Sequence, residues 1–345
     1  MARSLALFVI LLVPWTVIAS PVATLAALEG EVTVVRDGQL FPSEKVVEGF
    51  PLEGFDTVTT GATGRAEVRF SPATGVTGSL RLDPATSLYL DVSSLRGEQT
   101  AGVELLAGAV SVKLGALSGT SALEVRTELG TFEGTGRDFR VVQAPPGDVL
   151  VWAAVGKVQC RLETRTVFIE PGSAVEVLTL ERSARTFRVN TSTLASAEAS
   201  WATQRLQNFR DRAPAYFRTL ASRYQLQASQ FQRAWDRAQR ESGEVGASGA
   251  IANLRRAAFP LERSLFRVSA LKQLFDDGVL NPGVELNRGY AAKDFFRQVG
   301  QERDAESVRL YQARALYRLQ ADLRGGDFPK ASEGLEITYG SAFFH

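Results

Sequence analysis

A change in hydrophobic period at about residue 190 constrains the fold of this chain more than any other feature. Before it, apolar residues such as Ala66, Val68 and Phe70 alternate with polar ones, and this period of two is typical of half-buried β-strands. After it, apolar residues recur at steps of three and four, the period of an amphipathic helix. The 345 residues suffice for two domains of ordinary size. The sequence therefore predicts an all-β domain followed by an all-α helical domain.

The β region is predicted to span residues 21–190. Its short alternating runs are separated by turn signals at roughly ten-residue spacing, a pattern typical of an all-β sandwich, barrel or solenoid. The turn signals are Asp37-Gly38, Thr60-Gly61, Asp83-Pro84, Pro145-Pro146-Gly147 and Pro171-Gly172. We expect a sandwich or solenoid of short strands.

The helical region is predicted to span residues 195–345. One apolar stripe predicts a long helix over about 196–242, and Pro214 inside it indicates either a kink or two helices that meet there, with the proline in the first turn of the second. Residues 242–249, rich in Gly and Ser, are predicted to form a linker. Further helices are expected over about 250–276 and 288–324, each followed by glycine.

The first 19 residues have the pattern of a secretion signal. Arg3 precedes an apolar run from Leu5 to Ile18, and Val17-Ile18-Ala19 supplies small residues for signal peptidase. The run is shorter than the roughly 20 residues that a transmembrane helix needs. We therefore expect cleavage after Ala19 and a periplasmic or extracellular protein, with an uncleaved membrane anchor as the alternative.

The chain has few side chains for metal binding or nucleophilic catalysis. His345 is the only histidine and the last residue, and Cys160 is the only cysteine. A histidine-based triad or a zinc site cannot be assembled from them. Cys160 alternates with Val158 and Leu162 on a predicted strand, which favours a buried, inert thiol over a reactive one.

The remaining motifs favour structural roles. Gly156-Lys157 and Gly134-Thr135-Gly136 lack the rest of a phosphate-binding loop. Asp276-Asp277-Gly278 is expected to end a helix rather than to bind calcium. We therefore predict no catalytic, cofactor-binding or metal-binding residue and no enzymatic activity. A glycosidase carboxylate pair stays open as the alternative, because two carboxylates need only meet in space.

The long predicted helix is rich in arginine and aromatic residues. Its arginines, expected to form a solvated face, are Arg205, Arg210, Arg212, Arg218, Arg223, Arg233, Arg237 and Arg240. Its aromatic residues, expected in a core or an interface, are Trp201, Phe209, Tyr216, Phe217, Tyr224, Phe231 and Trp235. An anionic membrane or polymer surface is the alternative partner of the arginine face.

Several segments of the β region, taken together, resemble the FecR domain. In chain order they are Leu28-Glu29-Gly30-Glu31-Val32, Leu52-Glu53-Gly54-Phe55-Asp56-Thr57-Val58, Gly64-Arg65-Ala66-Glu67-Val68-Arg69-Phe70, Ser79-Leu80-Arg81-Leu82, Leu105-Leu106-Ala107-Gly108-Ala109-Val110, Val125-Arg126-Thr127, Gly136-Arg137-Asp138-Phe139, Val149-Leu150-Val151 and Gly156-Lys157-Val158. Phe55 separates the usual Gly-Asp pair, and Arg137 stands where threonine is usual.

The FecR domain is the periplasmic sensor module of iron-uptake regulators and also occurs alone in exported bacterial proteins. The resemblance implies a non-enzymatic extracytoplasmic binding, sensing or scaffolding protein without cofactors. We do not expect sigma-factor regulation, because the regulators place a cytoplasmic segment before their membrane helix. The expected partner is a protein of the cell envelope or a cell-wall polymer, not a nucleic acid, with membrane contact only if the N-terminal segment is uncleaved. A cell-envelope hydrolase or polysaccharide-binding enzyme is the competing interpretation, and a structural module of an envelope assembly is a third.

Overall fold

The computed structural model confirms the predicted order of a β region followed by helices. The residues that it describes are 21–36, 39–74, 76–91, 100–115, 122–134, 138–163, 165–241, 247–276, 283, 285–287 and 290–300. Among them, 17 strands lie between Ala23 and Arg188, and the first α-helix begins at Leu194. The predicted secretion signal, residues 1–19, and His345 lie outside the described residues.

The 17 strands form two sheets that share one strand. In spatial order, sheet A contains β4 (Pro51–Leu52), β1 (Ala23–Glu29), β6 (Arg65–Phe70), β7 (Gly78–Leu82), the second half of β9 (Thr100–Leu114), β12 (Asp138–Gln143), β13 (Val149–Val155), β16 (Ser173–Leu178) and β17 (Ser183–Arg188). Sheet B contains β3 (Gln39–Phe41), β2 (Val32–Arg36), β5 (Thr57–Thr60), β8 (Ser87–Asp91), the first half of β9, β10 (Ala122–Thr127), β11 (Gly130–Gly134), β14 (Val158–Leu162) and β15 (Thr166–Ile169).

Because the chain crosses between the sheets every one or two strands, successive strands are added to both sheets in the same direction. The fold is thus a two-layered sandwich in which the strands are added stepwise, as in a solenoid. Strand β9 passes from one sheet to the other at Gly108, which has φ +86°. A Cβ atom there would lie 2.4 Å from the Thr86 hydroxyl oxygen, so this bend requires glycine.

The core of the sandwich lies between the sheets and follows from the alternation of side chains. In β9, Val103 and Leu105 face the core from sheet B, and Val110 and Val112 face it from sheet A. The intervening side chains point outward, where the helices cover several of them. The period of two therefore predicted the inner face correctly.

The apolar stripe predicted over about 196–242 forms two helices, α1 (Leu194–Asp211) and α2 (Ala213–Glu241), which is one of the two alternatives that Pro214 indicated. Pro214 is the second residue of α2, where the missing N–H costs no helical hydrogen bond. Helix α3 (Ala247–Asp276) begins three residues before the predicted position and packs along α2.

The last described part is a short hairpin followed by a helical segment. Strands β18 (Glu285–Asn287) and β19 (Tyr290–Ala291) form the hairpin, and residues 292–300 are helical. The helix predicted over 288–324 thus begins later than expected, and its remainder lies outside the described residues. None of the helices in the described ranges combines the length and hydropathy that crossing a bilayer requires.

Candidate functional site

Polar contacts join helix α1 to the outer face of sheet A. The Arg140 guanidinium on β12 donates from Nε and Nη2 to the two carboxylate oxygens of Glu198, at 2.8 and 2.7 Å. The Trp201 indole donates to Glu176 Oε1 on β16 at 2.8 Å. Because the pair between Arg140 and Glu198 is bidentate, it fixes the orientation of α1 on the sheet. The indole also packs on the small outward apolar cluster that contains Val142 and Leu150.

Asp148, in the turn between β12 and β13, lies where α1, α2 and the strands meet. Its side chain is fully buried and accepts hydrogen bonds from the Thr179 backbone N–H at 2.8 Å and the Tyr216 hydroxyl at 3.2 Å. Arg205 of α1 lies 4.0 Å away. Burial raises the pKa of Asp148 although these three neighbours oppose the shift.

Glu128, in the turn between β10 and β11, contacts two arginines from different helices. Its Oε1 accepts from Arg223 of α2, and its Oε2 pairs with Arg267 of α3. The Arg267 guanidinium also lies against Gly147, where a Cβ atom would come within 2.8 Å of it. One carboxylate of the sandwich thus holds both long helices.

Glu104, on the outer face of β9, is a further buried carboxylate at this interface. Arg263 of α3 places Nε 2.6 Å from its Oε1. Burial raises the pKa of Glu104, with Asp91 and Glu262 adding to the effect of burial and Arg263 and Arg126 opposing it. The ion pair is therefore not strong enough to offset the loss of hydration.

An apolar contact completes the interface. Phe55, Tyr89 and Leu106 of the sandwich belong to the same cluster of buried residues as the apolar faces of α2 and α3. Phe55 has φ +75°, a left-handed conformation that is costly for a residue with a Cβ atom. Its ring is 3% exposed, so burial against the helices offsets that strain. We call the whole contact between sandwich and helices the strand–helix interface.

A small cavity lies within the strand–helix interface. Its volume is about 10 Å³, which is at the lower limit for one water molecule. The lining residues are Pro146, Thr179, Tyr216, Thr219, Leu220, Arg223, Arg267 and Leu271. None of them is a carboxylate, so this cavity does not hold the paired acids of a glycosidase.

The cysteine, glycine and aspartate motifs of the sequence lie in separate parts of the structure. Cys160 is fully buried in the core of the sandwich, and burial raises the pKa of its thiol to about 12. Gly134 ends β11, and Gly156-Lys157 forms the turn between β13 and β14. Asp276 ends α3, as expected, whereas Asp277-Gly278 and Thr135-Gly136 lie outside the described residues. In the described part of the chain, no group of three or more His, Cys, Asp or Glu side chains has a metal-binding arrangement.

The arginine face of α1 and α2 differs in part from the expectation. The exposed members are Arg210, Arg212, Arg218, Arg233, Arg237 and Arg240. Arg205 is buried and Arg223 is half-buried, because both face carboxylates of the sandwich. The aromatic residues named above are all buried, as predicted, but they pack against the chain's own α3 and sandwich. The apolar stripe of α1 and α2 therefore packs within this chain.

Sequence reasoning did not identify Asp148, Glu128 or Glu104. Nothing in the period or spacing marks them, because their partners lie far away in the sequence: Arg223 is 95 residues from Glu128. The available signals were indirect. The Pro145-Pro146-Gly147 turn precedes Asp148, and Phe55 departs from the usual Gly-Asp pair.

Among the described residues, the last strand of each sheet pairs on one side only. These are β15 in sheet B and β17 in sheet A. Arg185 and Arg188 of β17 are exposed, and such charged side chains protect an edge from unwanted pairing. Strand β15 instead exposes Phe168, at 60%. The β15 edge is thus the less protected of the two.

A comparison with protein families matches residues 56–159 to FecR protein. The match begins after the Leu28–Val32 segment and covers the region from Asp56 in the β4–β5 turn to Gln159 in β14. Asp56 itself is fully buried and accepts hydrogen bonds from Arg36 Nη2 at 2.7 Å and from the Glu53 backbone N–H at 2.8 Å. Asp56, the acidic residue of the FecR-like segment Leu52–Val58, therefore stabilises a turn.

Among solved structures, the chain is similar to two described as a "putative anti-sigma factor" from Parabacteroides distasonis, at 2.50 and 1.65 Å resolution. Each is 14% identical, with a TM-score of 0.35 and 40% of this chain covered. The chain spans 62% of the length of these solved structures. No curated protein matches this chain.

Proposed function

Because residues 56–159 carry a FecR domain, we propose that the chain is a non-enzymatic binding, sensing or scaffolding protein that acts outside the cytoplasm. The FecR domain supplies the binding surface. The helices form a covering layer that stabilises it and closes most of one side to partners. The partner is a protein of the cell envelope or a cell-wall polymer.

Two observations support this proposal: the carboxylates of the sandwich that contact the helices, and the difference in protection between the two sheet edges. The buried carboxylates Asp148 and Glu104 and the half-buried Glu128 face arginines or a hydroxyl donor of the helices. They therefore act in docking rather than in acid–base chemistry. The β15 edge, in contrast, leaves Phe168 exposed, and an extended partner segment can add there as a further strand.

Export is supported by the sequence pattern of residues 1–19. Sequencing the N-terminus of the mature protein tests it directly. A mature chain that begins at Ser20 agrees with the proposal and with a cleaved signal. An intact N-terminus on a membrane-bound protein would make the chain an anchored module instead.

Site-specific crosslinking in the native envelope tests the binding surface. A photo-reactive residue replaces Phe168 in one variant and Leu226, an exposed residue on α2, in the matched control. The proposal predicts a discrete crosslinked protein from position 168 and none from position 226. If both positions give the same products, the β15 edge is not the binding surface.

An activity assay addresses the competing hydrolase. Purified protein is incubated with cell-wall polysaccharide, and newly formed reducing ends are measured. The proposal predicts no release above that of heat-inactivated protein. Release that depends on a single carboxylate would make the chain an enzyme.

A further inference from the structure

The hydrogen bonds between β14 and β15 determine which backbone groups of β15 point away from the sheet. The Leu162 N–H donates to the Arg165 carbonyl oxygen at 2.9 Å, so these two residues form a hydrogen-bonded pair. In an antiparallel ladder, hydrogen-bonded pairs alternate with pairs that are not hydrogen-bonded. The register of the two strands then makes Val167 and Ile169 the residues of β15 that bond to β14.

Thr166 and Phe168, the alternate residues of β15, therefore direct their N–H and C=O groups to the free side of the strand. They lie opposite Arg161 and Gln159, in the two pairs that are not hydrogen-bonded. Among the described residues, β14 is the only strand that pairs with β15. Two donors and two acceptors thus form a row along this edge, with the spacing of roughly 6.8 Å that separates alternate residues of a strand.

The side chains beside this row offer apolar surface on both faces of sheet B. Phe168, on the outer face, is 60% exposed. On the inner face, Val167 and Ala184 of β17 are half-buried and pack against the core of the sandwich. Arg165 lies at one end of the row, where its guanidinium donates to the Ala184 carbonyl oxygen. A strand that adds at this edge therefore contacts apolar side chains on both of its faces.

These features match an extended polypeptide rather than a polysaccharide. An extended peptide repeats one N–H donor and one C=O acceptor with the same alternate-residue spacing, so it satisfies the whole row at once. A polysaccharide has no such repeat of peptide groups. In recognition by strand addition, backbone hydrogen bonds supply affinity, and the contacts of alternate side chains supply specificity.

We propose that the β15 edge binds an extended apolar segment of a partner polypeptide, which adds to sheet B through the backbone groups of Thr166 and Phe168. This inference rests on the proposed function, because it takes the β15 edge as the binding surface. It narrows the partner from a protein or a cell-wall polymer to a polypeptide strand. Because β15 has four residues, the added strand is of similar length.

Proline at position 166 separates backbone recognition from side-chain recognition. The photo-reactive residue stays at position 168, and crosslinking is carried out in the native envelope. Thr166 is the first residue of β15, where an edge strand tolerates proline, and its N–H makes no bond to β14. For Thr166→Pro we expect roughly tenfold less of the discrete crosslinked protein, because one hydrogen bond is lost and the ring obstructs pairing. Thr166→Ala, the matched control, retains the N–H and should crosslink like the parent chain.

The outcomes of this experiment distinguish the inference from the proposed function. Equal crosslinking of the proline and alanine variants would overturn strand addition but leave the β15 edge as a binding surface. A product that is shortened by a polysaccharide-degrading enzyme and not by a protease would also overturn it, in favour of a cell-wall polymer. The absence of any discrete product from position 168 in the parent chain would refute the proposed binding surface itself.

Hydrogen exchange tests the same contact without the proline variant. In the free chain, the amides of Thr166 and Phe168 should exchange faster than those of Val167 and Ile169, which bond to β14. In the purified crosslinked complex, exchange at positions 166 and 168 should slow by roughly tenfold or more, because the partner strand accepts hydrogen bonds from both amides. Unchanged exchange at both positions would overturn strand addition, even if Thr166→Pro fails to fold.

Discussion

The ring of Phe55 lies 6.3 Å from the ring of Tyr89, centroid to centroid, where the sandwich meets the helices. Phe55 belongs to a turn and Tyr89 to a strand, and both belong to the apolar cluster of α2 and α3. The positive φ of Phe55 is a conformation that glycine adopts without strain. The FecR resemblance places glycine directly before the aspartate. At this position Phe55 has a backbone strain that glycine would avoid, and it gains an apolar contact with the helices.

These two effects predict that glycine at position 55 is less destabilising than alanine. Phe55→Ala should lower the free energy of unfolding by about 3–5 kcal/mol, because the ring is lost from a buried site. Phe55→Gly should cost about 1 kcal/mol less than Phe55→Ala, because glycine relieves the positive φ. Urea denaturation of both variants measures the difference. A less stable glycine variant would show that Phe55 is not strained.

The local part of this structure could be predicted, and the long-range part could not. Alternation within β6 and the stripe through Tyr216, Phe231 and Trp235 report burial directly, because each depends on neighbouring residues. The pairing of Arg223 with Glu128 depends on how two remote segments meet, and no period encodes it. Arginine is usually exposed, so the sequence favoured a solvated face for Arg205 and Arg223.

The pair between Arg223 and Glu128 should contribute measurably to docking of α2. We expect a coupling energy of about 1–2 kcal/mol in a double-mutant cycle of Arg223→Gln and Glu128→Gln, because both side chains are largely buried. The exposed pair of Arg212 and Glu181 is the matched control and should show no measurable coupling. Equal coupling in both cycles would mean that burial does not strengthen the contact.

Cys160 should be unreactive in the folded protein. The thiol is fully buried, and its pKa, raised to about 12 by burial, leaves almost no thiolate at pH 8. A colorimetric disulfide reagent should therefore label the native chain at least tenfold more slowly than the chain in guanidinium chloride. Cys160→Ser is the blank for the assay. Rapid labelling of the native chain would indicate that the sandwich core opens near β14.

The Gly147 contact with Arg267 predicts a severe effect from adding one methyl group. Gly147 has φ +99°, and its added Cβ would lie 2.8 Å from the Arg267 guanidinium. Gly147→Ala should therefore be destabilised by about 2 kcal/mol or more, through backbone strain and displacement of Arg267. Gly49→Ala is the control, since Gly49 also has a positive φ of +83° but has no atom within 4 Å of an added Cβ. A similar loss at both positions would assign the whole effect to the backbone.

Burial of Glu104 predicts that the helices are held more firmly as the pH falls. Its pKa in the folded chain is raised above the ordinary value of 4.5 by burial, which outweighs Arg263 and Arg126, while Asp91 and Glu262 add to the rise. Between 4.5 and the folded pKa, the folded chain binds more protons than the unfolded chain, so the contribution of Glu104 to stability falls as pH rises through this window.

Glu104→Gln has no such proton to bind. The free energy of unfolding of the native chain minus that of the variant should therefore increase from pH 7 towards pH 4.5, as measured by urea denaturation. Glu48→Gln, at an exposed position, is the matched control for the loss of a carboxylate from the surface. A difference for Glu104→Gln that shrinks on acidification would mean that the ion pair with Arg263 dominates over burial.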